Sequence, residues 1–135
     1  MKLIEITNNT IQTVVPNAPI VLGNISRRVG CFTDYSAPGT TITLRECGYY
    51  EITLKVNATA TVAAQPMEIT LFLDGVAQPE TLATSVGTAI GDTETLNTHK
   101  KIRIFAADNT TVSVINTGAD DTTYTGMVLD IKKVS

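Results

Sequence analysis

The stretch GYYEITLKVNATA, residues 48–60, reads as one long strand, and the way its two faces divide decides the fold. Alternation places Tyr50, Ile52, Leu54 and Val56 on one side and Tyr49, Glu51, Thr53 and Lys55 on the other. The first set is a core face. The second is headed by a large aromatic residue, so what Tyr49 meets becomes the question that leads toward function.

Composition narrows the answer. A chain of 135 residues suits one domain, spanning 1–135, and is large enough to bury a core without metals or disulfide staples. Hydrophobic residues make up 43%, but aromatics only 5% with no Trp, which argues against a face that works by stacking nucleobases. The net charge is -3, and Lys and Arg are scattered apart from Arg27-Arg28, Lys100-Lys101 and Lys132-Lys133, so no nucleic-acid partner is expected. The opening MKLIEITNNT lacks the apolar run of a secretory leader, and no window approaches the ~20 apolar residues of a membrane helix. Synthesis in a reducing cytosol is the expectation, with no membrane partner. Cys31 and Cys47 are then expected as small buried apolar residues rather than a disulfide.

Thr is the commonest residue and recurs with Val and Ile at alternate positions, a pattern that suits a pleated surface. Candidate strands fall at about Lys2 to Ile6, Thr10 to Val15, Ile20 to Ile25, Val29 to Thr33, Thr40 to Glu46 and Tyr49 to Thr59. They continue at Glu68 to Leu73, Leu82 to Ile90, His99 to Phe105, Thr111 to Asn116 and Tyr124 to Lys133. So many short strands fit only an all-β sandwich or barrel. Turn chemistry separates them, most clearly at Asp74-Gly75 after MEITLFL, where a tight turn and a longer link to Pro79 are both open.

Four motifs in order carry a resemblance. They are Gly48-Tyr49-Tyr50-Glu51-Ile52, then Leu71-Phe72-Leu73-Asp74-Gly75, then Ala107-Asp108-Asn109-Thr110-Thr111-Val112-Ser113-Val114, and last Tyr124-Thr125-Gly126-Met127-Val128-Leu129. Over roughly residues 40–134 the chain resembles the tumour necrosis factor-like superfamily, especially its complement globular-head branch, as also found in phage decoration and head-fibre proteins. Ala107 stands where that family usually has glycine. The resemblance implies an antiparallel jelly-roll β-sandwich of about ten strands that assembles as a compact homotrimer.

In that family the outward face of one sheet packs against symmetry mates, and the strands matching Tyr49 to Val56, Thr111 to Asn116 and Tyr124 to Ile131 belong to it. Two of these strands read as apolar on both faces, since Val112 and Val114 oppose Ile115, while Met127, Leu129 and Ile131 oppose Tyr124 and Val128. A second apolar face asks for a partner surface. The expected trimer contact is therefore Tyr49, Ile115, Tyr124 and Val128. The alternative, that a strand of its own chain covers Tyr49, stays open.

Chemistry is sparse. The one His99 has no Cys or Asp at metal-ligand spacing, and neither cysteine has a second histidine to activate it. Phosphate loops, nucleophile elbows and zinc-protease motifs do not occur. No catalytic residue and no cofactor are expected. Asp120 and Asp121 share a turn and form a candidate Ca²⁺ site if backbone carbonyls and another acid join them; a solvated acidic loop is the competing reading.

These observations leave a non-enzymatic virion protein of a bacteriophage, a trimeric decoration or head-fibre subunit whose partner is the major capsid protein or another virion protein. The alternative is a trimeric receptor- or glycan-binding module of a phage tail tip or bacterial surface. A jelly-roll enzyme would need a metal-ligand cluster.

Overall fold

The structure, a computed structural model, describes residues 2–105 and 109–134. Among the described residues there are twelve strands: β1 (Lys2–Asn8), β2 (Gln12–Val14), β3 (Asn24–Val29), β4 (Thr33–Asp34), β5 (Thr41–Leu44), β6 (Gly48–Ala60), β7 (Gln65–Leu73), β8 (Val76–Ala77), β9 (Ala83–Gly87), β10 (Thr93–Ile104), β11 (Thr110–Ile115) and β12 (Thr122–Lys133). The only helical element among the described residues is a 3₁₀ turn, Pro79–Thr81. Ala107 and Asp108, which open the third motif, lie outside the described residues.

Two antiparallel sheets face each other. The first runs β10-β6-β12-β1-β3 with β2 joined to β12, and the second runs β4-β5-β11-β7-β8 with β9 joined to β7. β6 sits inside the first sheet between β10 and β12 and buries Tyr50, Ile52, Leu54, Val56 and Ala58 completely. Its β-branched and aromatic alternation explains this, because only one face can meet the apolar side chains of the second sheet. Val112, Val114, Leu71 and Ile69 supply that facing layer, and Phe32 stacks on Tyr50 with ring centroids 5.9 Å apart.

Asp74 and Gly75 form the tight β7–β8 turn. Both have positive φ, 52° and 77°, the pairing a two-residue type I′ turn demands. β10 begins at Thr93 rather than His99. Its first half carries only Leu96 inward and lies at the edge of the sheet, so little apolar pattern marks it.

Two expectations are corrected. Cys31 and Cys47 are exposed rather than buried, because both fall in connections rather than within strands; they are unbonded, as expected. The strand Thr111 to Asn116, realised as β11, lies in the second sheet between β5 and β7, not beside β6.

Candidate functional site

The outward face of the first sheet is where the sequence places its interaction surface, and the strand register fixes what lies on it. One cross-strand row reads Lys101, Glu51, Lys132, Leu3, Val29; the next reads His99, Thr53, Asp130, Glu5, Arg27. Beyond them Val128 lies between Lys55 and Thr7. Farther along, the face turns to threonine and asparagine, joined by Thr95 donating to Asn57 at 2.9 Å and by hydroxyl pairs Thr59/Thr93 and Thr13/Thr123, both at 2.9 Å. The face is mostly polar, with isolated apolar residues set into it.

Of the four residues expected at one contact, two share this face. Tyr49 is 50% exposed at its end, and the Arg103 guanidinium lies 5.4 Å from its ring centre and 4.8 Å from that of Phe105. Val128 is half-buried near the middle. Tyr124 is instead fully buried in the core, where its hydroxyl donates to the Glu68 carbonyl at 3.0 Å. The cause is a bulge: the β12–β6 register shifts between Thr125 and Val128, so Tyr124 and Met127 both point inward and strict alternation fails. Gly126, with φ of 62°, occupies the bulge. Ile115 belongs to the second sheet, pairs with Thr70 and is bridged by Pro19, so within one chain it lies on a different face from Tyr49 and Val128. The doubly apolar β12 expected from the sequence does not exist, because past the bulge its outward residues are Val128, Asp130 and Lys132.

Residues not singled out in the sequence complete the face. Leu3 is 4% exposed yet stands outside the core cluster, since Ile4 and Ile6 are the residues β1 turns inward. Asp130 sits at the centre, with Oδ1 buried and without a hydrogen-bond partner among the described residues. Desolvation pushes its carboxyl above the ordinary range and Glu5 adds to the shift, while Lys132 and Arg27 pull against it. The apolar and charged residues here alternate singly along short segments, which carries no motif, so sequence reading had only the outward parity of Leu3 and Asp130 to find them.

The Asp120-Asp121 turn has a structural occupation. The Asp121 carbonyl accepts from Thr61 Oγ1 at 2.6 Å and Gln65 Nε2 at 2.9 Å, and the Asp120 carbonyl accepts from Asn116 Nδ2 at 3.2 Å. The carbonyls a Ca²⁺ ion would need are thus turned inward. Among the described residues no three His, Cys, Asp or Glu side chains gather as a metal site. A cleft of about 470 Å³ opens beside Asn8, Thr10 and Gln12, but the Asn8 and Gln12 amides are spent on the Val21 backbone at 2.9–3.0 Å. Two of its polar side chains are thus already engaged.

No family model and no curated protein sequence matches this chain. Solved structures do resemble it. The globular domain of zebrafish complement 1qA is similar with a TM-score of 0.73 at 8% identity, over 100% of this chain and 98% of that one. The Eiger TNF of S. frugiperda is similar with a TM-score of 0.76 at 12% identity, over 98% and 92%. The PRD1 vertex protein P5, a phage protein, is similar with a TM-score of 0.59 at 12% identity, over 99% and 97%. At these identities the likeness defines the fold: an antiparallel jelly-roll sandwich of the TNF and complement globular-head type.

Proposed function

We propose that this chain is a non-enzymatic structural protein of a bacteriophage virion, a homotrimeric decoration or head-fibre subunit bound to the capsid surface. The observation that carries the reading is the end-to-end likeness to PRD1 vertex protein P5, a jelly roll that covers nearly all of both chains. The trimer would form through the outward face of the first sheet, with Val128 and Leu3 set among polar residues and Tyr49 at one end. Three weak contacts per particle at a threefold lattice point then combine through effective concentration into one firm attachment. Stabilisation of the shell requires no chemistry from the chain.

The test is binding of the purified protein to its cognate capsid shells. Saturable attachment in multiples of three is the expected outcome. A protein that ignores capsids but binds host cell walls or glycans, and loses that binding when Asp120 and Asp121 are changed, belongs instead to the receptor-binding class.

A further inference from the structure

Resting on that trimeric reading, we propose that the threefold axis passes beside the uncharged threonine and asparagine rows of the first sheet, where Thr59 and Thr123 face the same residues of two further copies. The outward face divides into two chemically different halves. One cross-strand row reads Thr93, Thr59, Thr123, Thr13, and the next reads Thr95, Asn57, Thr125. No side chain in either row carries a charge. On the other side of Val128 the rows carry Asp130, Glu5 and Arg27, then Lys101, Glu51 and Lys132.

Threefold symmetry turns this division into a choice. Away from the axis a residue meets a different residue of the next copy, but beside the axis it meets itself. Three copies of Lys132, Glu51 or Asp130 gathered there would repel one another, and like charges brought together across an interface are among its costliest mismatches. The far end of the face has the same defect, because the Arg103 guanidinium lies 5.4 Å from the Tyr49 ring centre and would be gathered threefold with it. A hydroxyl carries no such conflict. It donates one hydrogen and accepts at its oxygen, so three symmetry-related threonines can close a ring in which each donates to the next.

The rows are also held in place before assembly. The Thr59 and Thr93 hydroxyls lie 2.9 Å apart, as do those of Thr13 and Thr123, and Thr95 donates to Asn57 Oδ1 at 2.9 Å. A β-branched side chain already has few rotamers, so these bonds leave little freedom to lose on contact. Each hydroxyl pair uses one of its two hydrogens, and the other is left for a neighbouring copy. Thr59 and Thr123 are the half-buried members of their row and stand side by side on β6 and β12, whereas Thr93 and Thr13 at its ends are exposed.

Sedimentation equilibrium of the full chain at neutral pH tests the placement. Thr59→Lys and Thr123→Lys should each weaken association at least ~100-fold, whereas Thr53→Lys, in the charged half, should stay within ~3-fold of the native chain. An equimolar mixture of Thr59→Lys and Thr59→Glu chains should associate at least ~10-fold more tightly than either alone, a rescue that misfolded chains could not give. For the native chain, raising NaCl from about 0.05 to about 1 M should change association by less than ~3-fold, since the central contact holds no charges to screen. If the Thr59 and Thr123 variants assemble like the native chain, or the native assembly weakens ~10-fold or more with salt, the placement of the axis is overturned while the trimer stands. If the native chain is monomeric throughout, the trimer fails as well.

Discussion

Tyr124 and Met127 point into the same core although they stand an odd number of residues apart on one strand. The slip in pairing between Thr125 and Val128 makes this possible, and Gly126 supplies the positive φ of 62° that the slip needs. A side chain at this position is strained in that conformation, and its Cβ would lie 2.9 Å from Asn57 Nδ2. Gly126→Ala should therefore lower stability by about 1–2 kcal/mol in urea unfolding. No loss would mean that the bulge is absent and that Tyr124 lies on the opposite face.

That bulge also marks where the sequence ceased to be readable. For β6, unbroken alternation from Tyr50 to Val56 was sufficient to set which side is core, because a shift of one residue would have buried Glu51 and Lys55. On β12 the same alternation, carried across Gly126, puts Tyr124 on the wrong side. Ile115 lies apart from Tyr49 and Val128 for a different reason: strand order within a sheet depends on crossovers that leave no local trace, and β11 belongs to the second sheet. At Asp74-Gly75 the sequence leaves a tight turn and a longer link open, and the positive φ of both residues with the Leu73–Val76 pairing decides for the tight turn. Asp130 was invisible, since an acid on an outward position looks like any solvated acid until its surroundings close one oxygen from water.

The core assignment of β6 has a direct test. Leu54 is fully buried and Thr53, its neighbour, is exposed on the opposite side. Leu54→Ala should cost about 2–5 kcal/mol in denaturant unfolding, with Thr53→Ala well below that. Equal losses would place the register one residue out.

Alkaline pH should unfold the protein through two phenols. Burial pushes the Tyr50 hydroxyl up to about 12, and its proton is held by the Glu46 carbonyl at 2.7 Å; Tyr124, buried more deeply, is raised as well. A raised folded value means that this stabilisation is complete below the ordinary tyrosine range near 10 and is lost as pH climbs through the folded value. The urea midpoint should hold between pH 8 and about 9.5 and then fall steeply, with phenolate absorbance from Tyr50 and Tyr124 appearing together with loss of β-sheet dichroism. Phenolate from all tyrosines in a still-folded protein would contradict their burial.

Ca²⁺ should leave the melting temperature unchanged, and so should a chelator, because the Asp120 and Asp121 carbonyls are taken by Asn116, Thr61 and Gln65. By contrast Asn116→Ala, which strips the fully buried amide from Val14, Asp120 and Gly118, should cost about 1–3 kcal/mol by leaving buried backbone groups unpaired. A melting point that rises by several degrees with Ca²⁺ would restore the loop as a metal site.

The mass of the particle in solution tests the proposed assembly most directly. Light scattering of the purified chain at micromolar concentration and neutral pH should return three times the mass of one chain, unchanged on tenfold dilution. A single-chain mass under those conditions would contradict the trimer, and with it attachment at threefold points of a capsid.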